Sequence, residues 1–127
     1  MTETPYTVVI ADDDADIRDL VSISVRKAGL RVLAAVGDGA AALDAIRTNR
    51  PDLAILDISM PELNGMDVCR AVRADAGIGD VRILLLSASV DEAAVNLGIE
   101  SGADYFMAKP FSPREMVEWL AVGKEAR

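Results

Sequence analysis

Apolar residues along the chain fall into five short, nearly continuous runs. Longer segments with apolar residues every three or four positions separate them. The runs are Tyr6–Ala11, Arg31–Val36, Leu53–Leu56, Val81–Ser87 and Tyr105–Ala108. Leu53-Ala54-Ile55-Leu56 and Ile83-Leu84-Leu85-Leu86 show no polar alternation. That pattern predicts strands buried on both faces, as in a parallel sheet covered by helices.

The intervening segments predict helices. In the first, Ile17, Leu20, Val21, Ser24 and Ala28 share a face; Asp14 or Asp13 can cap its start, and Gly29 with Leu30 ends it. The second runs over Ala40–Asn49, with Leu43 and Ile46 inward, and stops at Arg50-Pro51. The third spans Met66–Ala74, with Val68, Ala71 and Val72 inward. The fourth runs from about Asp91 to Ser101, with Ser89 and Glu92 at capping-box spacing and Gly102 closing it. Ser112-Pro113-Arg114-Glu115 opens the fifth with a Ser cap, a first-position Pro and a third-position Glu. Its inner face is Met116, Val117 and Leu120, with Trp119 half-buried at the edge.

Strict strand–helix alternation with short loops predicts an α/β fold: a doubly wound three-layer sandwich with a five-stranded parallel sheet and five helices. A barrel of alternating strands and helices needs about 250 residues; this chain has 127. One domain over residues 1–127 is expected, with an ordered core of about 6–122.

Composition narrows the function. The net charge is -8 and the pI about 4.4, which opposes binding to a phosphate backbone or an anionic membrane. No direct nucleic-acid partner and no membrane association are therefore expected. One cysteine, Cys69, forbids an internal disulfide, and the absence of histidine removes imidazole catalysis and ligation. No signal peptide and no run of roughly 20 apolar residues is visible, so a cytoplasmic location is expected.

The chemistry collects where the strands end. The first strand runs into Asp12-Asp13-Asp14, the third ends on Asp57, the fourth on Ser87 and the fifth on Lys109. In an open α/β sheet these carboxyl ends share one rim, where ligands bind. Three carboxylates, Asp12, Asp13 and Asp57, need cationic compensation, and Lys109 supplies one charge. The remainder suits a hard divalent ion with oxygen ligands, Mg²⁺ above all, with Mn²⁺ able to substitute. In such a pocket the Asp57 carboxylate can act as a nucleophile toward a phosphoryl group.

Ile10-Ala11-Asp12-Asp13-Asp14, Leu56-Asp57-Ile58-Ser59-Met60-Pro61, Leu86-Ser87-Ala88 and Lys109-Pro110-Phe111 together resemble the response-regulator receiver family of two-component signalling. The resemblance covers nearly the whole chain and implies a flavodoxin-like sheet of order 2-1-3-4-5. It implies Asp57 as phosphoacceptor, Asp13 as a direct Mg²⁺ ligand, Asp12 acting mostly through water, and the Ser59 backbone carbonyl as a further ligand. Lys109 then pairs with the phosphoryl oxygens or, before transfer, with Asp57, and its bond to Pro110 is cis. Ser87 supplies the hydroxyl that moves toward the phosphoryl group, and small Ala88 leaves Asp57 accessible. Phe106 stands at the aromatic switch position, where Tyr is common. It keeps the packing switch without the hydroxyl hydrogen bond.

The implied function is a phosphorylation-activated signalling switch rather than an enzyme. The donor is a histidine kinase or histidine phosphotransfer protein. The output is a partner or effector domain controlled through the face of the fourth helix, fifth strand and fifth helix, and a phosphorylation-dependent homodimer is compatible with it. The acyl phosphate decays slowly by itself, and Ser59 and Ser89 are placed to tune that decay. The alternatives are an unphosphorylated docking module, a Mg²⁺-dependent aspartyl phosphatase using the Asp12–Asp14 spacing, and a flavin carrier. The three aspartates after the first strand repel a flavin phosphate. Kinase, pathway and whether the receiver stands alone or was cut from a longer chain are not specified by these residues.

Overall fold

In the computed structural model the apolar runs become β1 (Thr7–Ala11), β2 (Arg31–Val36), β3 (Leu53–Asp57), β4 (Arg82–Ser87) and β5 (Tyr105–Ala108). They alternate with α1 (Ala15–Lys27), α2 (Gly39–Asn49), α3 (Gly65–Ala74), α4 (Glu92–Glu100) and α5 (Pro113–Glu125). The structure describes residues 6–88 and 91–125. The strands form one parallel sheet of order β2-β1-β3-β4-β5, as the family resemblance implies.

Pleating divides the apolar runs between two cores. Val9, Ala11, Ala54, Leu56, Ile83 and Leu85 face α2 and α3, where they meet Ala42, Ile46, Val68, Cys69 and Val72. Val8, Ile10, Leu53, Ile55, Leu84 and Leu86 face the other way, onto Val21 and Val25 of α1 and Met116 and Leu120 of α5. Both faces are covered, which is why no polar residue interrupts β3 before Asp57. Each fully buried Ile or Leu contributes roughly 2 kcal/mol of transfer free energy.

The caps explain where helices begin. Asp14 caps α1, accepting from the N–H of Asp16 and Ile17. Asn64 and Asp67 form a reciprocal box at α3, and Ser112 and Glu115 another at α5. The expected Ser89–Glu92 box at α4 is replaced: Asp91 is the cap and accepts from Ala94 N–H, so Glu92 occupies the first helical position rather than the third. Ser89 itself lies outside the described residues. β4 starts at Arg82 rather than Val81, because the Val81 N–H is taken by a turn bond to the Ile78 carbonyl.

On α1 the predicted Ser24 is buried, and Ser22 and Val25 are buried beside it; each serine hydroxyl donates back to a carbonyl four residues earlier, at 2.8 Å. On α4 the one buried residue is Gly98; Leu97 and Ile99 are 51% and 59% exposed. This helix is seated lightly. Its C-terminal end is tied down from α3, where Arg73 donates to the Gly102 carbonyl (2.8 Å), the Gly79 carbonyl (2.9 Å), the Val81 carbonyl and the Asp104 carboxylate (2.7 Å).

Candidate functional site

Strand register assembles the site. Ala11 pairs with Leu56, so Asp12 and Asp57 leave the sheet side by side. Asp57 pairs with Leu86 and Ser87 with Ala108, which sets Ser87 one step, and Lys109 two steps, beyond the carboxylate. The backbone tightens this rim. Asp12 N–H donates to the Val36 carbonyl, Ile58 N–H to the Leu86 carbonyl and Lys109 N–H to the Ser87 carbonyl at 2.7 Å. The Lys109–Pro110 peptide is cis, as expected.

Asp12 and Asp57 are buried, at 0% and 4% relative exposure. Lys109 Nζ bridges them, 3.0 Å from Asp12 Oδ2 and 3.0 Å from Asp57 Oδ1. The other Asp12 oxygen accepts from Asp14 N–H at 2.9 Å. Asp13 is exposed, yet a carboxylate oxygen from each of Asp12, Asp13 and Asp57 lies within 4.8 Å of the others. Burial raises the Asp57 carboxyl above its ordinary value; the Lys109 hydrogen bond opposes this and the Asp12 charge adds to it. Burial alone would lower the Lys109 ammonium, but its hydrogen bonds to Asp12 and Asp57 outweigh burial and hold it above the ordinary lysine value.

The fit to a divalent cation follows from this donor set. Three hard oxygen donors converge, while Lys109 is the one cation ion-paired with them among the described residues. Surplus negative charge in a partly dry site favours a small hard ion.

A cavity of about 390 Å³ opens beside Asp57. Its lining includes Ser59, Ser87, Ala88, Lys109 and, from α4, Ala94 and Leu97. Ser59 and Ala88 are exposed on its rim, and Ser87 is buried. Thus Asp12, Asp13, Asp57, Ser59, Ser87, Ala88 and Lys109 are brought together. Phe106 is set back along β5, opposite Leu85 and half-buried.

Three contributors were not singled out from the sequence. Arg18 reaches back from α1 to the Asp12 carbonyl at 2.9 Å and holds the β1–α1 turn. Its signal is its place one helical turn after the cap. Gly65 opens α3 so close to β3 that a Cβ there would lie 2.6 Å from the Asp57 carbonyl oxygen. Leu97 forms a cavity wall, and its signal is an apolar residue on a helix face that no strand covers.

A family model described as the response regulator receiver domain matches residues 8–121. The DNA-binding response regulator MtrA of Mycobacterium tuberculosis is 46% identical over 110 residues, covering 87% of this chain and 46% of that protein. The transcriptional regulatory protein CseB of Streptomyces avermitilis is 38% identical over 117 residues, covering 92% of this chain and 48% of that protein. Among solved structures, chemotaxis response regulator CheY4 of Vibrio cholerae superposes with TM-score 0.85 at 32% identity, covering 92% of this chain and 97% of that one. The Francisella response regulator 1452 receiver domain gives 0.84 at 29% identity, covering 98% and 100%.

The chain spans about half the length of the curated relatives it matches. This corrects the expectation of no direct nucleic-acid partner, because MtrA is by name a DNA-binding regulator and CseB a transcriptional one. The charge argument fails for a physical reason. A net charge of -8 constrains the surface of these 127 residues; it says nothing of the other half of such a protein, which carries its own charge. Among the described residues, no helix is long and apolar enough to cross a membrane.

Proposed function

The chain belongs to the response regulator receiver domain family, and on that premise we propose that residues 1–127 form a single phosphorylation-operated switch with Asp57 as phosphoacceptor. The observation that carries this is the Lys109 bridge between the buried carboxylates Asp12 and Asp57, set against an open cavity. A structural ion pair needs no cavity, and a nucleophile does.

The donor in this reading is a phosphohistidine of a kinase or phosphotransfer protein. A carboxylate oxygen of Asp57 forms the new O–P bond as the N–P bond breaks, and the leaving imidazole takes up a proton. Lys109 exchanges its hold on Asp57 for the phosphoryl oxygens, and the Ser87 hydroxyl moves in to meet them. Asp12, Asp13, Asp57 and the Ser59 carbonyl would hold Mg²⁺, or Mn²⁺ in its place, which supplies charge neutralisation when bound. Ala88 keeps the approach open, and Ser59, at the cavity rim, tunes the later hydrolysis of the acyl phosphate.

Movement of Ser87 and Phe106 shifts the balance between two packings of the α4, β5 and α5 face. The output it controls is of the kind the named relatives carry, DNA binding and transcription. The test is acetyl phosphate with Mg²⁺, read by intact mass. One phosphoryl adduct on the wild type and none on Asp57→Asn is expected; no adduct on the wild type, or the same adduct on both, sinks the reading.

A further inference from the structure

α4 forms part of the wall of the Asp57 cavity through Ala94 and Leu97, yet its single buried residue is Gly98. A side chain is excluded there by one neighbour above all. A Cβ on Gly98 would lie 2.7 Å from Phe106 Cε2 and 2.9 Å from Cδ2, with Leu85 Cδ1 next at 3.4 Å. The Phe106 ring thus lies directly on the α4 backbone, packed with Leu85 at the margin of the core that faces α2 and α3. Glycine inside a helix costs about 1 kcal/mol relative to alanine, so the position carries a compensating requirement for space.

We propose that Gly98 is the positioning residue that seats the Phe106 ring, and through it couples the state of Asp57 to the stance of α4. This rests on the phosphoacceptor reading above and adds to it the residue that sets the switch. Two groups could yield if a methyl were added at 98. The helix is held at its C-terminal end, where Ser101 is buried and Arg73 grips the Gly102 carbonyl. The ring is half-buried on a four-residue edge strand and turns about its own side-chain torsions. The ring therefore yields. In the phosphoacceptor reading the switch uses the packing with the ring beneath α4, and a methyl at 98 takes the volume that packing needs.

The experiment is titration of the full chain with beryllofluoride and Mg²⁺, a phosphoryl mimic, followed by NMR. The chain has two phenylalanines, Phe106 and Phe111, so the ring signals are separable. Gly98→Ala is expected to weaken beryllofluoride binding about tenfold, the effect of about 1.4 kcal/mol of bias against the favoured state. It shifts the Phe106 ring resonances and leaves those of Phe111 in place. In a Phe106→Leu background the same substitution changes binding less than twofold, because the ring it displaces is gone. An equal loss in both backgrounds, or Gly98→Ala binding within twofold of wild type, overturns the proposal. A wild type that binds no beryllofluoride instead overturns the phosphoacceptor reading on which it rests.

Discussion

Asp57 and Lys109 carry the electrostatics at the scale of single residues. Asp57 is buried and its carboxyl is held above the ordinary value of 3.8, first by burial. The folded protein therefore keeps this proton to higher pH than the unfolded chain does. Stability is lost as pH rises from 3.8 through the folded value, and the full cost is present above it. In metal-free buffer, Asp57→Asn is expected to be more stable than wild type at pH 8. The gap should close as pH falls toward 3.8. Urea denaturation with chelator, repeated across that range, measures it, and a gap that widens on acidification would contradict the sign. Lys109 behaves oppositely. Its raised value means that its contribution is complete below 10.5 and is lost only as pH climbs through the folded value. Removing it leaves two adjacent buried carboxylates uncompensated. Lys109→Ala is expected to cost about 3 kcal/mol without Mg²⁺ and less with it, which thermal unfolding with and without the ion will show.

Elements differ in how firmly they are held, and α4 is the loosest of those on the sheet. α1, α2, α3 and α5 each bury two or more apolar side chains, whereas α4 buries only Gly98. A helix seated this way can move at small cost, which suits a wall of the cavity beside Asp57. Arg73 limits the motion to one end. It spans α3, the turn before β4 and the turn before β5, and its partner Asp104 also accepts from Ile83 N–H at 2.8 Å. Arg73→Ala is expected to destabilise the protein by about 2 kcal/mol, since three carbonyls and a carboxylate lose their donor. Amide exchange should rise at residues 101–104 before it rises in β1 or β3. Uniform protection across α4 and β3 in that variant would show that the tie is dispensable. At the far end of β5, Tyr105 meets Trp119 edge-to-face, with centroids 5.1 Å apart, and joins the strand to α5. Changes in β5 thus have a direct route to the final helix.

The whole molecule behaves as a rigid sheet carrying a charged rim. β1, β3 and β4 are buried on both faces, and their register alone sets the spacing of Asp12, Asp57 and Ser87. Ile55 lies at the centre with no exposed surface, one pleat before Asp57. Ile55→Ala should lower stability by about 3–4 kcal/mol through lost transfer energy and the cavity left behind, as measured by denaturant unfolding. A ligand that binds the folded state alone raises stability by mass action. Mg²⁺ should therefore raise the unfolding temperature of the wild type but not of Asp57→Asn, and equal shifts in both would place the ion elsewhere.

The sequence by itself determined the strands, their order along the chain and the polar residues that end them. Buried parallel strands need unbroken apolar runs, and helix caps need side chains of particular kinds at particular places. Asp12, Asp57, Ser87 and Lys109 could be assigned to one rim for that reason. The burial of Ser22 on α1 and the α4 cap were less legible, because serine back-bonding and a choice between Ser89 and Asp91 depend on local geometry that spacing does not encode. Tertiary structure decided what depends on distances between elements far apart in the chain. It placed Lys109 between two carboxylates rather than on one, and brought Arg18 to the Asp12 carbonyl and Arg73 to two turns. It also laid the Phe106 ring on Gly98. In the sequence that glycine is one small residue in a helix. Only packing shows that its missing side chain is space already taken.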